Sequence, residues 1–327
     1  MFSNINHVEK EREKTAKMEN STNLRKCVVV LSCYNGEEYL RDQIDSIINQ
    51  KNVDLHLFIR NDGSTDGSMG ILLEKQKEYS GMLSIQNGNN VGIHKSFYEL
   101  LLSVKDVSFE YLAFSDQDDF WDLDKISCGI NKMELERTDF YSSASRLVDG
   151  FLKPIGKTTS NQKKYDFYRK KSRVILTPGT QGCTIIITRK LYDFLIDSGV
   201  PDYYGHDTWI TIVANMFFET TYDSDSHMSY RQHDQSWTGN RANRFAQFKR
   251  EYSFFIKGLA RYRLLARDII NRYDTLLGDV EKRLLLAVSK EKRSFSDKMR
   301  LFFSFKYRKY GFLENLVFKI YVLIGRA

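Results

Sequence analysis

The sequence holds three prolines, four cysteines and no low-complexity tract in 327 residues, and each scarcity removes a class of protein. Cys27, Cys33, Cys128 and Cys183 are widely spaced and form neither a CxxC nor a zinc-ligand pattern. They are expected to be reduced thiols in or near a core. No run approaches the roughly 18 consecutive apolar residues that cross a bilayer; the longest candidate, FLENLVFKIYVLIG, is interrupted by Glu314, Asn315 and Lys319. The first 26 residues are polar and lack the apolar core of a secretory signal, so residues 1–25 are expected to be a frayed arm and the protein cytoplasmic. GxGxxG and the Walker Lys-Ser/Thr loop are both missing, which argues against a kinase or other P-loop enzyme.

What remains is ordinary globular material, 42% hydrophobic and 28% charged, with 22 Phe and 19 Tyr. Its net charge of +7 is unevenly spread. From Arg241 onward there are 21 Lys+Arg against 8 Asp+Glu, so the preceding 240 residues are net acidic. An acidic body carries a basic tail.

The body is patterned as strand, polar loop, helix, several times over. KCVVVLSCYN is a buried-strand run, and the helix after it carries Leu40, Ile44, Ile47 and Ile48 on one stripe, with Glu37 and Glu38 placed in its first turn. LHLFIRNDGSTDG with a helix over 68–79, MLSIQNGNNVG with HKSFYELLLSV, and EYLAFSDQDDFW continue the scheme. Such repetition predicts an open, mostly parallel α/β sheet. Ligands bind such sheets beyond the carboxyl ends of the strands, where CYNGEE, RNDGSTD, NGNNVG and SDQDD should converge. Further on, 139–148 is strand-like, 150–176 a polar connection, 182–195 strand then helix, and a helix is expected from His206.

Asp116, Asp118 and Asp119 lie within four positions, flanked by aromatics. An EF-hand needs Gly at its sixth position and Glu at its twelfth, but counting from Asp116 those are Trp121 and Ser127. A solvated helix-capping turn and a divalent cation held with nucleotide phosphates both remain open.

Seven motifs in order decide the resemblance: LSCYNGEEYLRDQIDSIINQ, IRNDGSTDGS, NNVGIHKSF, FSDQDDFW, GCTIIITRKL, HDTWI and YRQHDQSWTG. Together, from about Lys26 to Gly239, they resemble the family 2 glycosyltransferases, in particular their rhamnosyltransferase-like branch. The resemblance implies a GT-A (Rossmann-like) domain over 26–240, a mostly parallel sheet flanked by helices, with a basic amphipathic helical extension over 241–327. It implies that Cys33, Tyr34 and Asn35 line the base pocket, that Glu37 closes it, and that Asp62 hydrogen-bonds a pyrimidine. Asn61 stands where the family carries a first acid. Asn90 and Gly92 would pass the nucleotide, Asp116 would reach the ribose or a metal-bound water, and Asp118 would ligate Mn²⁺ or Mg²⁺. Asp119 would orient these groups or bind the donor sugar, while Arg231 and His233 would meet the diphosphate or metal.

Asp207 alone is a carboxylate favouring a helix N-terminus; the resemblance makes it the base that deprotonates the acceptor hydroxyl in an inverting displacement. The processive QxxRW motif is missing, since Gln232 is followed by HDQSW; Trp237 would be an acceptor platform or loop anchor. The implied activity moves a sugar from dTDP-rhamnose or a UDP-hexose to a glycan or lipid-linked glycan in cell-surface polysaccharide synthesis. A non-catalytic membrane or nucleic-acid adaptor and a nucleotidyltransferase are the alternatives. The basic tail suits peripheral contact with the inner face of the membrane or a homodimer; no nucleic-acid motif accompanies it.

Overall fold

The computed structural model describes residues 24–156, 158–159, 162–169, 180–202, 204–232 and 262–324. Its strands are β1 (Lys26–Cys33), β2 (Asp54–Asn61), β3 (Leu83–Asn87), β4 (Tyr111–Ser115), β5 (Phe120–Trp121), β6 (Phe140–Val148), β7 (Ile186–Thr188) and β8 (Thr220–Arg231). They form one sheet in the order β3-β2-β1-β4-β7-β6-β8-β5. Only β7 and β5 run against the other six, so the mostly parallel sheet anticipated from the strand–loop–helix pattern is present.

The alternation of side chains explains why the central strands read as unbroken apolar runs. In β1, Val28 and Val30 enter one hydrophobic cluster, while Cys27, Val29, Leu31 and Cys33 enter another on the opposite face. β4 divides the same way, Leu112 and Phe114 against Tyr111 and Ala113. A parallel strand covered on both faces has no side left for polar residues. Each Val or Leu so buried contributes about 1.5–3 kcal/mol.

Helix α1 (Leu40–Ile48) covers the second cluster through Leu40, Ile44, Ile47 and Ile48. α2 (Ser68–Glu78) lies on the same side, and α3 (Ile93–Ser103) covers the first cluster with Phe97, Leu100 and Leu101. α4 (Lys125–Glu136), α5 (Gln162–Arg169), α6 (Arg189–Ser198) and α7 (His206–Phe217) follow. The described tail is helical over 262–273 (α8), α9 (Asp279–Ser289), α10 (Phe295–Phe303) and α11 (Phe312–Leu323). Leu265, Leu285, Leu301 and Phe318 of that tail join the same cluster as Val28 and Phe114.

Two local expectations change. Helix α1 begins at Leu40, because the amides of Tyr39 and Leu40 both bond to Gly36 O (3.1 and 3.0 Å) and make a turn that holds Glu37 and Glu38 outside the helix. The polar connection 150–176 contains a helix, α5, in its described part. Among the described residues no helix is long and apolar enough to cross a membrane.

Candidate active site

The loops leaving β1, β2, β3 and β4 are stitched together at the carboxyl edge. Gln117, the middle residue of Asp116-Gln117-Asp118, accepts from Tyr34 N (2.8 Å) and donates to Tyr34 O (3.1 Å). Asn35, at φ 49, accepts from Thr65 N (2.8 Å) and donates its own amide to Ser64 Oγ (3.0 Å). The Ser68 hydroxyl accepts from Gly36 N (2.8 Å), and the Glu37 carboxylate accepts from Gly67 N. Gly63 sits at φ 73, where a Cβ would lie 2.7 Å from Asn90 N; only glycine lets the two loops touch there.

Asp62 is 2% exposed, and its carboxylate faces the protein. It pairs with Arg60 and accepts from Val91 N (3.0 Å) and Gly92 N (2.9 Å). It thereby fixes the 89–92 loop, on which Asn90 and Gly92 are exposed. Asn61 has structural work of its own. Its amide donates to Asn87 Oδ1 (2.8 Å) and its oxygen accepts from Ser64 N (3.1 Å), tying β2 to β3 and closing the following turn.

The acid turn is held from beneath by polar residues of α1 and of the segment just after it. Gln43 Nε2 donates to Ser115 Oγ (2.7 Å), Ser46 Oγ accepts from Trp121 N (3.2 Å), and Gln50 Oε1 accepts from Ile126 N (3.0 Å). β5 pins the other end by pairing Phe120 with Ser229 and Trp121 with Met228. Asp119 is fully buried: its Oδ1 accepts from Arg231 N (3.3 Å), and its Oδ2 has no hydrogen-bond partner among the described residues. Asp116 and Asp119 offer oxygens to one point together with Cys183 Sγ, all within 4.8 Å of one another.

These carboxyls lie poorly solvated beside like charges. Burial and then the charges of Asp118 and Asp207 push Asp116 up to about 7. Burial, Asp118 and Asp116 raise Asp119 well above the carboxylate range. The Cys183 thiol is raised too, mainly by burial. One cation is built in: Lys125, 1% exposed, lies 3.5 Å over the Trp121 ring, and burial brings it down to about 8. The two carboxylates of the Asp116, Asp119 and Cys183 group, one with a buried oxygen that no donor among the described residues reaches, are hard oxygen ligands that fit a divalent ion such as Mg²⁺ or Mn²⁺. The neutral thiol of Cys183 adds nothing to that fit.

Asp207 lies in the first turn of α7 and accepts from Thr208 N (2.6 Å), near enough to Asp116 to raise its proton affinity. Its neighbour His206 packs between Phe97 and Phe114, with ring centroids 3.8 and 5.1 Å away, and burial lowers it to about 4. It stays neutral at ordinary pH. A Cβ on Gly182 would stand 2.6 Å from His206 Nε2, so the 3-10 turn Gly182–Thr184 passes directly against α7.

Two expected site residues are placed differently. Cys33 is fully buried in the core with its thiol pushed up to about 11, so its side chain lines no pocket. Arg231 is 3% exposed and bound to Asp42 (3.0 Å) and Gly150 O (2.5 Å), with its guanidinium 4.5 Å over Tyr39. Its guanidinium is a strut between α1, β8 and the Gly150 turn, and only its backbone amide reaches the acid cluster. His233 and Trp237 lie outside the described residues. Conversely, Gln43, Ser46, Lys125 and Cys183 were not foreseen. Gln43 and Ser46, three apart on the buried face of α1, are polar where the helix is otherwise apolar, and that is the sequence signal that marks them.

Among known proteins, a family model described as glycosyl transferase family 2 matches residues 28–195, more than half the chain. The dTDP-rhamnosyl transferase RfbG of Shigella flexneri is 29% identical over 260 residues, covering 76% of this chain and 85% of that protein. Staphylococcus aureus TarS 1–349 in complex with UDP shares the fold at TM-score 0.56 and 19% identity, covering 81% of this chain and 70% of TarS. The mannosyltransferase PcManGT of Pyrobaculum calidifontis, in complex with GDP-Man and Mn²⁺, does so at TM-score 0.52 and 14% identity, covering 79% and 66%.

Proposed function

The chain belongs to glycosyl transferase family 2, and from that premise we propose that it transfers one sugar, with inversion, from a nucleotide-sugar donor to a glycan acceptor of cell-surface polysaccharide synthesis. The observation that carries this is the meeting of the Asp116–Asp119 turn with Asp207 beyond the strands' carboxyl ends. Inversion needs one displacement, hence one base and no covalent nucleophile. Asp207, on a rigid helix start, is assigned the acceptor hydroxyl proton.

Tyr34 is 45% exposed on the clamped β1 loop and is assigned to stack on the base. Asn35, Glu37, Asn90 and Gly92 shape the rest of the nucleotide cleft. Asp62 serves it by fixing the 89–92 loop. Asp116, Asp118 and Asp119 are the residues to hold Mn²⁺ or Mg²⁺. Such an ion neutralises the charge developing on a departing nucleoside diphosphate. Lys125 sets the charge balance behind that turn.

The relationship to a dTDP-rhamnosyl transferase supports dTDP-rhamnose as the donor, with a UDP-hexose second. A panel of nucleotide sugars with Mn²⁺ or Mg²⁺, scored by nucleoside diphosphate release, tests it. Release from dTDP-rhamnose above all others is the expected result. Release from none, by a folded protein given glycan acceptors, refutes the assignment.

A further inference from the structure

Helix α11 is apolar on both its faces. Its inner face buries Phe318, Val322 and a lysine: Lys319 is 7% exposed, and its Nζ donates to the carbonyls of Leu301 (2.7 Å), Ser304 (3.0 Å) and Tyr307 (2.5 Å). Those acceptors close the end of α10 and the turn after it, so one ammonium locks the two helices into a hairpin. The outer face of α11 exposes Phe312, Leu316, Val317 and Ile320, with Ile324 just beyond it. Phe295, Phe303 and Phe305 stand out from α10 and its turn, and these phenylalanines with Phe312 are 71–82% exposed. A water-facing helix carries polar side chains on its outer stripe, and exposed apolar side chains gathered on one hairpin mark a contact surface.

We propose that this hairpin face docks in the plane of an anionic lipid surface, with the phenylalanines and the outer stripe of α11 at the headgroup–acyl boundary. The occupant follows from charge. Residues 290–324 carry nine Lys+Arg against three Asp+Glu, among them Lys292, Lys298 and Arg300 beside the exposed phenylalanines. A second copy would bring an equally positive face against this one, whereas anionic headgroups neutralise it. Twelve helical residues span about 18 Å, too short to cross a bilayer and suited to lying on one. The inference stands on the hairpin and not on the transfer reaction.

The full chain is sedimented with phosphatidylglycerol-containing vesicles and with phosphatidylcholine vesicles. Strong binding to the first and weak binding to the second is expected, falling with added salt without vanishing. The triple variant Phe312→Ser, Leu316→Ser, Ile320→Ser, all at exposed positions, should bind about tenfold more weakly or worse. Lys298→Glu with Arg300→Glu should abolish the preference for anionic vesicles, and it serves if the triple variant melts early. No binding to phosphatidylglycerol, or unchanged binding by both variants, overturns the proposal. So does a dimer in sedimentation velocity that the triple variant splits without altering vesicle binding, which would make a second copy the occupant.

Discussion

Asp116→Asn should make the metal-free protein more stable while removing its transfer activity. In the native state this carboxyl is pushed from its ordinary 3.8 to about 7. Below 3.8 both folded and unfolded chains hold the proton, so the group has no effect on stability. Between 3.8 and 7 the unfolded chain gives up a proton that the native state keeps, and each pH unit costs about 1.36 kcal/mol. Above 7 the penalty is constant at ~4 kcal/mol on that arithmetic. Because the repulsion is shared with Asp118 and Asp207 and the group is partly open to solvent, about half of that, ~2 kcal/mol, is the expected gain. Asparagine keeps the shape without the charge. In calorimetry with chelator near pH 8, the variant should melt roughly 3–6 °C above the parent, and the gap should narrow to under half near pH 5. Added Mn²⁺ should raise the parent's melting temperature more than the variant's. A variant that melts lower than the parent at pH 8, or a gap that widens on acidification, refutes the assignment of a charge-strained cluster.

Asp207→Asn should cut turnover by about 10²–10⁴-fold, leaving donor affinity by calorimetric titration unchanged; an equal loss of affinity would make Asp207 a binding residue instead. Gln43→Leu removes the donor to Ser115 Oγ from a buried site, and chemical denaturation should show a loss of about 1–3 kcal/mol, with a raised KM for the donor as the acid turn loosens. Gly63→Ala places a methyl 2.7 Å from Asn90 N at a positive φ; about 1–3 kcal/mol of lost stability and weaker nucleotide binding are expected.

The parallel half of the sheet was legible because its residues repeat a local grammar: apolar run, polar loop, amphipathic helix. The convergence of the loops followed from topology alone, and Asp207 from a motif at a helix start. What stayed hidden depends on partners far away in sequence. Cys183 reaches Asp116 and Asp119 only through the β4–β7 pairing. β5 is two residues long and exists because β8, a hundred residues on, supplies its ladder. Lys125 looks like an ordinary first-turn lysine until Trp121, Cys183, Cys27 and Asp119 are brought to it by the fold. Arg231 and Cys33 were misplaced for the same reason. Residue type gives what a side chain can bind, whereas burial decides which partner it meets first.

The clamp between Gln117 and residue 34 has a further consequence. Both of its hydrogen bonds end on the main chain of Tyr34, so the Tyr34 side chain is not part of the fastening. Exchanges at that position leave the acid turn anchored as before. On the proposed assignment, the surface given to the base and the carboxylates given to the diphosphate are mechanically joined through main-chain bonds alone. If Tyr34 stacks on the base as proposed, substitutions at position 34 should change nucleotide preference while leaving the acid turn anchored.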